Sequence, residues 1–196
     1  MLKRLSLTAA ALGVTALPAF AHLNPEEHGS FMAGVSHPFF GADHILAMVA
    51  VGIWASQIAV AQGDRKALWI VPSAFVGTMA AGFLMAVYGI GLPFVEPAIL
   101  ASVIGLGLLV AMAARLPTAA AAAVVGAFSL FHGHAHGGEL GSAGALQFGI
   151  GFMIATAILH AAGIALGLGI ARFGSAASRT VGALTAIAGL SLAFGG

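Results

Sequence analysis

The sequence predicts an all-α integral membrane protein, a bundle of six transmembrane helices that follows a cleaved signal peptide. Hydrophobic residues make up 60% of the 196-residue chain, charged residues only 7%, and the mean hydropathy is +1.06. Soluble proteins carry about 25% charged residues, so a chain this apolar could not cover its surface in water. Apolar stretches that approach the ~20 residues needed to cross a bilayer recur along the chain, separated by short polar breaks.

The N-terminus has the composition of a secretory signal. Lys3 and Arg4 supply a positive start, an apolar stretch follows, and Ala19-Phe20-Ala21 fits the small-x-small cleavage pattern. The apolar stretch is shorter than a spanning helix, which favours cleavage over retention as an additional helix. We therefore predict a signal peptide over residues 1–21 and a single transmembrane domain over residues 22–196.

The spans and their orientation follow from the apolar stretches and the basic residues. We predict six helices at residues 34–62, 67–90, 98–115, 118–136, 145–171 and 180–196. The loops after the first, third and fifth of them hold the basic residues of the mature chain, which are Arg65, Lys66, Arg115, Arg172 and Arg179. Cytoplasmic loops are enriched in such residues, so we predict a bacterial inner-membrane protein with a periplasmic mature N-terminus.

Several functional classes are excluded by composition. The chain has no cysteine, so any metal site must use nitrogen and oxygen ligands, with methionine sulfur as a weak addition. A net charge of +1 without a basic run gives no basis for binding nucleic acid. The sequence holds neither His-Glu-x-x-His nor Gly-x-Ser-x-Gly, which argues against an enzyme.

Glycine is abundant, at 28 of 196 residues, as expected where transmembrane helices approach closely. Gly163 and Gly167, four residues apart, form one candidate helix contact. Gly133 lies near the end of the fourth predicted span and Gly137 and Gly138 follow it, so this segment has the freedom to leave helical geometry.

Two polar motifs interrupt the apolar pattern, His37 to His44 (HPFFGADH) and Phe131 to Glu139 (FHGHAHGGE). Imidazole and carboxylate groups are costly in hydrocarbon and persist there for a function. Together they are the usual ligands of a borderline divalent metal. Both motifs lie at the outer ends of their predicted helices, so the sequence predicts a transition-metal path there.

Helical spacing selects the candidate ligands in each motif. At about 100° per residue, His37 and His44 share one face of the first span, with Asp43 beside them and Pro38 in the first turn. In the second motif the residues that share one stripe are His132, His136 and Glu139. His134 points the opposite way and is predicted to be a bystander.

Two further histidines are open to either interpretation. His160 stands alone in the fifth predicted span, where it is a metal ligand or a histidine hydrogen-bonded within the helix packing. After cleavage, His22 would combine a free α-amine with its imidazole and could chelate a metal. The alternative for His22 is a solvated tail.

The first motif is His37-Pro38-x-x-Gly41-x-Asp43-His44-x-Leu46-x-Met48, and the second is Phe131-His132-Gly133-x-Ala135-His136-Gly137-x-Glu139. Both closely resemble the signatures of the HupE/UreJ family of nickel/cobalt permeases. The resemblance covers nearly the whole mature chain. It implies a six-helix secondary permease with Ni²⁺ or Co²⁺ as transported substrate and no prosthetic group, serving hydrogenase, urease or cobalamin metallation. It also implies roles for His37, Asp43, His44, His132, His136 and Glu139, and His160 resembles a histidine of the family's fifth helix.

Two other functions compete with the permease. A membrane electron-transfer protein with haem held by paired histidines explains several histidines but gives Asp43 and Glu139 no role. A metal-binding sensor or chaperone without transport would use the same ligands. The residues leave open the choice among nickel, cobalt and zinc, the coupling to protons, and association into a homo-oligomer.

Overall fold

The computed structural model describes residues 30–140 and 144–195, and within these ranges the chain is helical, without a β-strand. The elements are α1 (Phe31–Phe40), α2 (Ala42–Gln62), α3 (Ala67–Val87), α4 (Val95–Met112), α5 (Thr118–Leu140), α6 (Ala145–Ile170) and α7 (Ser175–Gly195), with a 3₁₀ turn at Ala171–Phe173. In the described residues six helices, α2 to α7, are long and apolar enough to cross a membrane. The all-α fold with six long apolar helices is confirmed, whereas the predicted signal peptide lies outside the described residues.

The first predicted span is two helices rather than one. Ser30 caps α1 by accepting a hydrogen bond from the backbone N–H of Ala33 at 3.0 Å, so α1 begins earlier than expected. Pro38 consequently lies in the last turn of α1, not in a first turn. Proline lacks an N–H and crowds the preceding turn, and α1 ends shortly after it, where Gly41 is extended at φ −90° and ψ 116°. The break frees α1 to pack against α6.

Glycines bring α3 and α5 into close contact. Gly133 and Gly137 of α5 lie against the backbone carbonyls of Met79 and Phe83 on α3, where a Cβ atom would collide with them. The segment was predicted to be free to leave helical geometry, but α5 stays helical to Leu140. The glycines instead permit close helix approach, as is usual between transmembrane helices.

Two other groups of helices are held together in the same way. The predicted contact at Gly163 and Gly167 is present, because Gly163 lies against the backbone of Val49 and Gly167 against Ser56, both on α2. On α4, Gly107 meets the backbone of α7. The bundle thus consists of the α3–α5 pair, the α4–α7 pair and the α1–α2–α6 group, with less extensive packing between them.

Hydrogen bonds gather the α2–α3, α4–α5 and α6–α7 connections at one end of the bundle, here called the basic end. The Thr118 hydroxyl donates to Asp64 at 2.5 Å, and the Arg179 Nε donates to the carbonyl of Ala111 at 2.9 Å. The basic residues of the predicted cytoplasmic loops lie in these connections, except that Arg179 belongs to the start of α7. Both polar motifs lie toward the opposite end, where α2 begins and α5 ends.

Candidate metal centre

Three histidines from three helices converge at the end of the bundle opposite the basic end. His37 lies in the last turn of α1, His44 in the first turn of α2, and His136 near the end of α5. One ligand atom from each lies within 4.8 Å of the others. The ring centroids of His37 and His136 are 4.5 Å apart, and those of His44 and His136 are 4.7 Å apart. We call this group the histidine cluster; its spacing allows one ion to contact all three imidazoles.

The break at Gly41 brings His37 and His44 together, rather than the seven-residue spacing on a continuous helix. The two residues belong to different helices, and their ring centroids are 5.6 Å apart. The extended backbone of Gly41 is one that any residue can adopt. A Cβ atom there, however, would lie 2.6 Å from Nδ1 of His44 and 2.9 Å from Oδ1 of Asp43. A larger residue at this position would therefore force the side chains of His44 and Asp43 to shift.

Asp43 orients His44 within the cluster. Its Oδ1 accepts a hydrogen bond from Nδ1 of His44 at 3.0 Å. Asp43 lies in the first turn of α2, where the partial positive charge of the helix N-terminus stabilises a carboxylate. A carboxylate behind an imidazole fixes its tautomer and raises its basicity as a metal ligand. His44 therefore keeps the lone pair of Nε2 available on its other side.

That lone pair faces His136. The Nε2 atoms of His44 and His136 are 2.7 Å apart, and both side chains are buried. Two lone pairs approach this closely only when one nitrogen carries a hydrogen or a cation lies beside both. Two imidazole nitrogens at right angles on one ion, each about 2.1 Å from it, would be roughly 3 Å apart. The pair is therefore close to the spacing of adjacent ligands, and a metal would replace the shared proton.

His132 lies one turn deeper on α5 and is fully buried. Its ring centroid is 5.5 Å from that of His44, and its Nε2 lies 2.8 Å from the Ser102 hydroxyl on α4. The Phe75 ring contacts it as well, at 5.9 Å between centroids. His132 is thus the next imidazole inward from the histidine cluster.

His160 is not part of the cluster. It is buried on α6, and its ring packs edge-on against Phe75 at 4.9 Å. Neither of its nitrogens has a hydrogen-bond partner among the described residues. The interpretation of His160 as a histidine hydrogen-bonded within the helix packing is therefore not supported among the described residues.

The remaining predicted residues lie apart or outside the description. Nε2 of His134 donates to the carbonyl of Ile90 at 2.8 Å, away from the cluster, as expected for a bystander. Glu139 belongs to the last turn of α5, but its side chain is outside the described part of the structure. His22 is likewise outside the described residues.

The sequence did not indicate which aromatic side chains line the site. Phe152 of α6 lies 4.9 Å from the ring of His136 and 5.8 Å from that of His44, and Phe148 lies 5.7 Å from that of His37. Phenylalanine is ordinary in a membrane helix, so no signal marked these residues. The contact of Ser102 with His132 could have been suspected from the sequence, because Ser102 is the one hydroxyl residue of α4.

Comparison with known proteins identifies the family of the chain. The profile of the family described as HupE / UreJ protein matches residues 10–192. The chain is 49% identical over 197 residues to Protein HupE of Rhizobium leguminosarum bv. viciae, and the alignment covers 98% of each chain. No solved structure matches it. From the family match and a similarity that extends over nearly the whole chain, we conclude that the chain belongs to the HupE/UreJ family, a transporter-type membrane family associated with nickel and cobalt.

Proposed function

We propose that the protein is a secondary permease that takes up Ni²⁺ or Co²⁺ from the periplasm into the cytoplasm. The observation that carries the proposal is the histidine cluster, in which His37, His44 and His136 can contact one ion. Nitrogen and carboxylate ligands suit both metals, and water completes an octahedral shell. Family membership supports the same assignment.

The path runs between α2 and α5. These helices pack mainly against α6 and α3, and the side chains of His44 and His136 bridge the space between them. His132 supplies the next ligand inward, and Asp43 supplies negative charge beside the first. Transport requires binding strong enough to remove part of the hydration shell and weak enough to allow release.

The remaining candidates have roles at the two ends of this path. Glu139 would attract cations at the periplasmic mouth, and the α-amine and imidazole of His22 would capture the metal after signal cleavage. His160, buried beyond Phe75, would accept the ion closer to the cytoplasm. The basic end faces the cytoplasm under the positive-inside rule. An inside-negative potential then supplies about 4.6 kcal/mol per 100 mV for a divalent ion, without a nucleotide.

The histidine geometry is less suited to the haem alternative. Axial nitrogens on opposite faces of a haem, each about 2 Å from iron, lie about 4 Å apart. The 2.7 Å separation of the His44 and His136 Nε2 atoms is shorter, and a third imidazole lies beside them. The carboxylate of Asp43, against His44, also fits a cationic substrate better than a neutral pigment.

Accumulation of radioactive nickel and cobalt by cells that express the chain tests the proposal. Asp43→Asn removes the charge behind His44 and should lower uptake by about 10–100-fold, as the loss of such a supporting partner usually does. His134→Ala, which alters a histidine outside the cluster, is the matched control and should leave uptake unchanged. Wild-type uptake in Asp43→Asn, at equal amounts of protein in the membrane, would refute the path.

A further inference from the structure

Ser102 is a buried hydroxyl that contacts His132 from a helix outside both histidine motifs. It lies on α4 with no exposed surface, and its Oγ is 2.8 Å from Nε2 of His132. The same hydroxyl donates a hydrogen bond to the carbonyl of Ile99 at 2.6 Å. The contact therefore joins the α4–α7 pair to the motif carried by α5.

The two hydrogen bonds fix the position of the proton on His132. A serine hydroxyl has one hydrogen, and that of Ser102 is used in the bond to Ile99. Its oxygen must then accept from His132, so Nε2 of His132 carries the hydrogen. The other nitrogen, Nδ1, retains its lone pair, is buried, and has no hydrogen-bond partner among the described residues.

We propose that Ser102 is a positioning residue that holds His132 in the Nε2–H tautomer and thereby makes Nδ1 the atom that receives the metal ion. This inference rests on the proposed function, because it assigns His132 the step that follows binding at the histidine cluster. Metal-ligating histidines commonly donate their second ring N–H to a supporting group, and Ser102 is that group here.

The supporting groups differ between successive histidines. His44 donates Nδ1–H to the carboxylate of Asp43, whereas His132 donates Nε2–H to a neutral hydroxyl. A carboxylate raises the basicity of the imidazole it supports more than a hydroxyl does, since it brings a full negative charge. Binding at His132 is consequently weaker than at His44, which suits an ion that must move inward and be released.

Nitrogen NMR of the full-length protein with ¹⁵N-labelled histidine, recorded without added metal, reads the tautomer directly. The His132 resonances are assigned by their loss in His132→Asn. We expect wild-type protein to show a protonated Nε2 and an unprotonated Nδ1, and Ser102→Ala to lose this preference. Ser102→Thr should preserve it, because threonine in a helix can still bond the preceding turn with its hydroxyl.

Nickel uptake by the same variants supplies the functional readout. Ser102→Ala should lower uptake by about 10-fold or more, and Ser102→Thr should restore most of it. The control is Ser56→Ala, because Ser56 is equally buried and donates to the carbonyl of Ile53 at the same 2.6 Å. Among the described residues the Ser56 hydroxyl forms no hydrogen bond with a histidine, so its loss should leave the His132 tautomer and the uptake unchanged.

Either of two results would overturn the inference. One is a wild-type His132 protonated at Nδ1, and the other is a Ser102→Ala variant that keeps both the tautomer and full uptake. Because the NMR measurement uses no metal, it remains decisive for Ser102 even if the wild-type protein proves not to transport nickel. Failure of the permease would appear separately, as absent uptake by wild-type protein.

Discussion

At the scale of single residues, Gly41 shows how one missing side chain shapes the candidate metal centre. It ends α1, begins α2, and leaves room for the hydrogen-bonded pair of Asp43 and His44. Its backbone angles place no special demand on glycine. The space that a Cβ atom would occupy is instead already filled by Nδ1 of His44 and Oδ1 of Asp43.

Gly41→Ala should therefore weaken nickel binding by about 10-fold or more, because the methyl group displaces the Asp43 carboxylate from His44. Equilibrium dialysis of the purified protein with nickel measures the loss. The control is Gly77→Ala on α3, where an added Cβ meets nothing within 4 Å. Unchanged affinity in Gly41→Ala would show that the Asp43–His44 contact does not support the ligand.

The sequence identified most of the residues at this centre, because imidazoles and carboxylates are conspicuous in an apolar chain. The argument that paired His37 with His44 was nevertheless wrong, since they lie on separate helices. The position of Phe152 beside the site could not be predicted, because phenylalanine is equally common on helix surfaces that face lipid. Its role depends on which helix α6 packs against, and that is set by tertiary contacts.

At the scale of helices and their connections, Asp64 ties the α2–α3 loop to the start of α5. The Thr118 hydroxyl donates to Oδ2 at 2.5 Å, and the backbone N–H of Lys66 donates to Oδ1 at 3.1 Å. These two hydrogen bonds lower the pKa of the Asp64 carboxyl below its ordinary value of 3.8. Both bonds favour the ionised form.

The sign of the pH dependence follows from that lowered pKa. A carboxyl with a depressed folded-state pKa stabilises the fold above its unfolded pKa, and the contribution is lost as pH falls through the folded value. Asp64→Asn should therefore lower the thermal unfolding midpoint in detergent at pH 6, and the difference from wild type should shrink toward pH 3. Thr118→Val should act in the same direction. A difference that stays constant from pH 6 to pH 3 would contradict this role of the carboxylate.

The helices themselves could be predicted to within a few residues, since length and hydropathy determine membrane spans. The division of the first span into α1 and α2 could not, because an apolar run with a proline looks the same whether the helix bends or ends. The close packing at Gly163 and Gly167 was predictable from their spacing. The role of Gly133 in close packing was not predicted, because glycine permits both backbone flexibility and close helix approach.

At the scale of the whole molecule, the three groups of helices all contribute residues to the proposed path, two of them candidate ligands and the third a supporting hydroxyl. His37 and His44 belong to the α1–α2–α6 group, and His132 and His136 belong to the α3–α5 pair. Ser102 approaches from the α4–α7 pair. An ion at the histidine cluster would therefore contact both the α1–α2–α6 group and the α3–α5 pair. Packing between these two groups is less extensive than packing within each of them. Which helices pair with one another could not be predicted from the sequence.

Nickel entry into proteoliposomes that contain the purified protein and a trapped metal-quenched dye measures the proposed activity without other cell components. An inside-negative potential should drive entry by wild-type protein. His136→Ala removes the ligand that α5 contributes to the cluster and should reduce the rate by about 10-fold or more, whereas His134→Ala should retain it. Equal nickel entry with wild-type protein and His136→Ala would contradict transport through the histidine cluster.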